Sequence, residues 1–168
     1  MPIHFEDLEI DHKVKGLDSV LIVPCRMCPA VTIAVRENKP FMNFFRGIFK
    51  SQPLEQYLKA LQGRLKEQGV RSKVFGCSLY HQWFMCMWTS ATRRKLLKEA
   101  QKHDAVLVLG CRSATVTVQD TVRSTGCIVI EGMETTGIMN AKLKFNFPGS
   151  VSFTDFKETH LSKRSCDS

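Results

Sequence analysis

Asp18-Ser-Val-Leu-Ile-Val-Pro-Cys25-Arg26-Met-Cys28-Pro-Ala-Val-Thr-Ile-Ala-Val35 is the stretch that decides how the chain is read. Its pattern returns as Asp104-Ala-Val-Leu-Val-Leu-Gly-Cys111-Arg112-Ser-Ala-Thr-Val-Thr-Val118, in the same register from Asp to Arg. In each copy a β-branched and leucine run, long enough for one buried strand, ends in Pro or Gly. A cysteine follows, and then a small-residue segment able to wind into a helix. Each copy therefore reads as strand, turn, helix, with a thiol at the turn. In open α/β sheets the carboxyl ends of parallel strands face the crevice that binds ligands, so Cys25 and Cys111 are expected at that crevice.

Working outward, the first strand is expected over 19–23 and a helix over 30–37, with Pro29 suited to a first turn and Asn38-Lys-Pro40 stopping it. Four phenylalanines crowd Phe41 to Phe49, a segment read as capping the core. Leu54, Leu58, Leu61 and Leu65 share one face of a helix that Ser51-Gln-Pro53 opens and Gly69 ends. Arg71 to Phe75 reads as the second strand and runs into Gly76-Cys77, the same strand-then-thiol theme. Tyr80 to Trp88, with both tryptophans, is read as core more than as the wall of a prosthetic group. Thr89 or Ser90 caps a helix from Ala91 to about His103, strands follow over 105–109 and 127–130, and a threonine-rich helix lies between them. The segment 137–143 is read as helical, with a turn at Asn146-Phe-Pro-Gly149.

Strands alternating with helices predict an α/β fold: a single-domain three-layer sandwich with a mostly parallel, flavodoxin- or Rossmann-like sheet of four to five strands. An irregular amino-terminal arm takes residues 1–17, the domain with its cysteine rim takes 18–156, and 157–168 is a polar tail. At 168 residues and 43% hydrophobic content the chain suits one core. No Gly-x-Gly-x-x-Gly and no Walker lysine motif occurs, and no triad or paired-carboxylate pattern supports a hydrolase.

The net charge of +8 is uneven. Residues 1–18 hold five acids and two lysines, leaving 22 of the 24 bases and 11 of the 16 acids to the rest. Such a field favours anionic ligands or an acidic protein surface. No apolar run reaches the roughly 20 residues of a membrane span, and the acidic start is unlike a secretory signal, so the expected location is cytoplasmic, off the membrane.

Seven cysteines without an export signal point to thiols, a metal or redox work more than to disulfides. Cys25 and Cys28 have a spacing that ligates zinc, ligates an iron-sulfur cluster, or forms a redox disulfide. Cys77 and Cys111 are expected on the same rim, with Cys86 as a fifth thiol, and four thiolates suffice for tetrahedral zinc or a cluster. The plain alternative is that these cysteines fill crowded turns as small hydrophobes. Arg26 and Arg112, at predicted helix starts, are candidates for holding a phosphate or carboxylate, and His81 for a nitrogen ligand or acid-base group.

The order of these elements, with Ile22-Val-Pro-Cys25-Arg-Met-Cys28, Phe75-Gly-Cys77 and Leu109-Gly-Cys111 as markers, resembles the small cysteine-rich subunit of acetogen-type methylenetetrahydrofolate reductases. That unit is also found as a carboxy-terminal domain of related proteins. The likeness covers roughly residues 18–135. It implies an accessory or electron-relay protein of one-carbon metabolism that binds metal through cysteines beside a folate or methyl-transfer enzyme. The chain lacks that family's second, carboxy-terminal cysteine cluster, keeping only Cys166, and has an insertion at 41–49. Two other readings stand beside it: a thiol-disulfide oxidoreductase or redox sensor built on Cys25 and Cys28, and a basic nucleic-acid-binding module using Arg93, Arg94, Lys95 and Lys98. The nucleic-acid reading ranks last.

Overall fold

A computed structural model describes residues 3–43, 51–76, 84–146 and 149–160. The organising pattern forms strand β2 (Ser19–Pro24) and helix α2 (Cys28–Arg36) in its first copy, and β5 (Ala105–Leu109) and α5 (Arg112–Val122) in its second. Every residue of β2 and β5 is buried, which explains their unbroken apolar runs: a central parallel strand has no solvent face. Two half-exposed strands, β4 (Arg71–Val74) and β6 (Ile128–Glu131), flank them in the order β4-β2-β5-β6, all parallel.

Helices cover both faces of this sheet. Val20 and Ile22 of β2 and Leu107 and Leu109 of β5 pack with α2 and with α3 (Gln52–Glu67). Leu21 and Val23, with Val106 and Val108, pack on the opposite side against α4 (Ser90–Ala100) and α5. Helix α3 buries Leu54, Leu58, Leu61 and Leu65, and Gly69 at φ +80° lets the chain turn so that Val70 N–H reaches the Leu65 carbonyl at 2.9 Å. Thr89 caps α4, its hydroxyl accepting from Thr92 N–H.

A second, antiparallel sheet was not legible in advance. It orders β1 (Ile3–Asp7), β7 (Met133–Asn146), β8 (Ser150–His160) and the short β3 (Met42–Asn43) as β1-β7-β8-β3. The expected helix over 137–143 is therefore part of a 14-residue strand. The amino-terminal arm holds β1 and a single helical turn α1 (Asp11–Val14), while residues 157–160, assigned to the tail, continue β8. Phe5, Met133 and Met139 carry this sheet into the α2–α3 core, and Phe41 is buried there against Phe153. Of the expected phenylalanine-rich cap, 44–49 lie outside the described residues. Gly132 alone joins β6 to β7; a Cβ there would stand 2.8 Å from Leu109 Cδ2 and 2.9 Å from Leu107 Cδ1. Of the stretch Tyr80 to Trp88 read as core, residues 80–83 lie outside the described residues; Met85 and Trp88 are buried, whereas Phe84, Cys86 and Met87 are exposed.

The first residue of the second copy ties the amino ends of the central strands together. Asp104 Oδ2 accepts from Ser19 N–H (2.8 Å), Ser19 Oγ (3.0 Å) and Asp18 N–H (3.0 Å). The Ser19 hydroxyl and then its backbone N–H hold the Asp104 carboxyl below its ordinary pKa. A carboxyl with a depressed folded-state pKa stabilises the fold above its unfolded pKa and loses that contribution as pH falls through the folded value. Asp104→Ala is thus expected to lower the melting temperature at pH 7, with the gap to wild type closing in acid. Thermal melts between pH 7 and pH 2 check it; a gap independent of pH contradicts the carboxylate's role.

Candidate functional site: a thiol mouth at the strand ends

Beyond Pro24 the chain continues alongside β5, and Cys25 N–H donates to the Leu109 carbonyl at 2.8 Å. This sets Cys25 opposite Gly110. A Cβ at Gly110 would lie 3.2 Å from Cys25 Cβ and 2.8 Å from Ala114 Cβ, so the turn closes only because residue 110 has no side chain. Cys111 follows as the N-cap of α5, without a capping bond from its side chain, and packs against the hydrophobic clusters on both faces. Cys28 opens α2, and Met27 bridges both clusters beside it. Buried Met85 forms a wall, its sulfur 3.9 Å from the position of a Gly110 Cβ. Cys86, next in the short 3₁₀ turn Met85–Met87, is exposed.

Burial sets the chemistry of these thiols. It pushes the Cys25 pKa up to about 11, against backbone N–H groups of Met85 and Met27 that favour its thiolate; Cys28 and Cys111 lie near enough for their charges to raise it further. Burial likewise raises Cys28, which has the Ile3 N–H as a favourable partner and Cys111 and Cys86 as unfavourable charges. The strand ends thus hold Cys25, Cys28 and Cys111 within electrostatic range of one another, with Cys86 in range of Cys28. Cys77 and His81 lie outside the described residues, as does Cys166. Cys127 belongs elsewhere: it precedes β6 at the opposite end of the sheet, and its thiol donates to the His103 carbonyl at 3.4 Å.

Cys28, Cys86, Cys111 and Cys127 are free thiols. Among the described residues no three His, Cys, Asp or Glu side chains form a group that would hold a metal ion. The donor type suits a soft ion, but these residues alone do not complete a coordination shell for zinc or a cluster.

The two arginines are engaged by carboxylates. Arg26 Nη1 donates to Glu55 Oε1 in the first turn of α3 at 2.6 Å. Arg112, 77% exposed, donates to Glu131 Oε1 at the end of β6 at 2.7 Å. They face different partners and do not form a joint anion clamp. On α4, Lys95 donates to the Gly76 carbonyl at 2.9 Å and stands 5.5 Å from the Phe75 ring centre, a structural role for one of the four basic residues considered for nucleic acid.

The sequence marks Gly110 as the end of the repeated strand, Ser51 as the start of a helix and Met85 as core, but gives none of them a place at the site; Glu55 carries no local mark at all.

Thiol reactivity follows from burial. With its pKa near 11, Cys25 carries about a hundredfold less thiolate near neutral pH than an ordinary thiol at 9.0. Iodoacetamide at pH 8 is expected to modify exposed Cys86 first and Cys25 at least a hundredfold more slowly, read by peptide mass spectrometry. Comparable rates would contradict the burial assigned to Cys25.

No helix among the described residues is long and apolar enough to cross a membrane. Comparison with protein-family models, curated proteins and solved structures found no match to this chain.

Proposed function

We propose that the chain is an accessory protein whose thiol mouth takes a thiophilic metal, zinc or the iron of an iron-sulfur cluster. It would serve a folate or methyl-transfer enzyme in the cytoplasm, as the small reductase subunit that its markers resemble would. The observation that supports this reading is the placement of Cys25 and Cys111, by two copies of one sequence pattern, at the ends of adjacent strands, with Cys28 at the start of the helix that follows the first. Convergent soft donors are what such an ion selects.

The sheet order supports the doubly wound, flavodoxin-like reading of the domain. Counted along the chain the parallel strands run 2-1-3-4, and the order reverses between β2 and β5. Ligands of doubly wound sheets sit outside the carboxyl ends at that reversal, where these thiols are. The raised pKa values of Cys25 and Cys28 weigh against the oxidoreductase reading, because a redox-active thiol needs its pKa lowered.

Metal analysis and an absorbance spectrum of protein purified without oxygen test the proposal. One metal or cluster per chain, lost in both Cys25→Ser and Cys111→Ser, is expected. Colourless, metal-free protein that remains folded and takes up neither zinc nor iron on addition would overturn it.

A further inference from the structure

Among the described residues two buried side-chain polar atoms lack a hydrogen-bond partner, Arg26 Nε and Ser51 Oγ, and both border the first turn of α3. A buried donor without an acceptor costs as much as a lost hydrogen bond, so two in one place call for an explanation. Ser51 is the N-cap of this 16-residue helix and is 7% exposed, yet its hydroxyl makes no capping bond. The first N–H groups of a helix have no acceptor within it, and the aligned peptide dipoles make that end attractive to anions. Arg26 reaches the same turn: Glu55, whose N–H bonds the Ser51 carbonyl at 3.1 Å, takes only its Nη1. The other flank of the guanidinium, Nε–H beside Nη2, is the side-on fork that grips two oxygens of one anion.

We infer that Arg26, Ser51 and the amino end of α3 form a binding site for an oxyanion, the phosphate or carboxylate group of a small ligand. The guanidinium fork and the serine hydroxyl donate to its oxygens, and the helix end supplies the field. Glu55 is the internal competitor: its carboxylate balances the guanidinium when the site is empty and opposes the incoming charge. Arg26 directly follows Cys25, so the site adjoins the thiol mouth, but it uses none of the sulfurs and stands whether or not a metal binds there. Arg112, on its own partner, takes no part.

Titration of the whole chain with inorganic phosphate, and in a parallel arm with acetate, decides the matter at constant ionic strength balanced by chloride. The readout is the melting temperature, with ³¹P line width in the phosphate arm. Saturable binding of one oxyanion per chain is expected, about tenfold or more weaker in Arg26→Gln and a few-fold weaker in Ser51→Ala. Glu55→Gln, which removes the competing charge, is expected to bind about threefold more tightly. Saturation by phosphate alone, acetate alone or both supports the site and names the group it prefers. Should Arg26→Gln fail to fold, the opposite shifts of Ser51→Ala and Glu55→Gln still decide. Non-saturable responses to both anions, or identical curves for wild type, Ser51→Ala and Glu55→Gln, would overturn the inference. Retention of binding in Cys28→Ser separates this site from the thiols.

Discussion

Gly110→Ala is expected to destabilise the protein by about 3 kcal/mol, the upper range for forcing a group into a packed interior. The new Cβ would meet Ala114 Cβ at 2.8 Å and Cys25 Cβ at 3.2 Å. Neither is the far end of a flexible chain: one belongs to the first turns of α5, the other to the backbone-bonded turn after β2. Relief therefore requires the helix or the Cys25 turn to move. A movement of the turn would also disturb the thiol mouth, so the variant should lose the slow alkylation of Cys25 along with its denaturant midpoint. An unchanged midpoint would mean the turn is looser than described.

Leu107→Ala should cost about 4 kcal/mol, within the range for emptying a leucine site in a core that cannot collapse around it. Leu107 is fully buried in the cluster that joins the parallel sheet to α2, α3 and the second sheet, and its Cδ1 is one of the atoms on which Gly132 rests. The cavity would lie between three rigid elements. Ile128→Ala, on edge strand β6 where the side chain is 55% exposed, should change stability by no more than about 0.5 kcal/mol. Urea unfolding of the two variants gives the comparison directly; similar losses would contradict the assignment of β5 as central and β6 as edge.

The parallel half of the fold was legible because burial on both faces leaves a strong trace: Val20 to Val23 and Ala105 to Leu109 have no room for polar residues. The heptad-like leucines of α3 and the cap at Thr89 were equally plain, since each rests on local periodicity or one side chain. The second sheet was hidden for a physical reason. Strand β7 alternates only over its first half, where Met133, Gly137 and Met139 are buried; beyond Asn140 a bulge shifts its register with β8, and Leu143 and Phe145 are exposed beside lysines. An irregular, half-exposed strand carries no clean period of two, and Gly137 to Leu143 passes equally for a weak helix. Of the candidate site, the thiols were visible as a repeated pattern, whereas the carboxylates that hold Arg26 and Arg112 come from α3 and β6, far off in sequence. Ser51 likewise acquires meaning only once α3 is folded against α2.

The most direct measurement of the thiol mouth is cross-linking by dibromobimane, a short reagent that bridges two neighbouring thiols, in a variant that keeps only Cys25, Cys28 and Cys111. Peptide mass spectrometry should find an intramolecular bridge joining Cys111 to Cys28 or Cys25 as the main product. Labelling of each cysteine singly, with no bridge between the two strand ends, would contradict the convergence on which the proposed function rests.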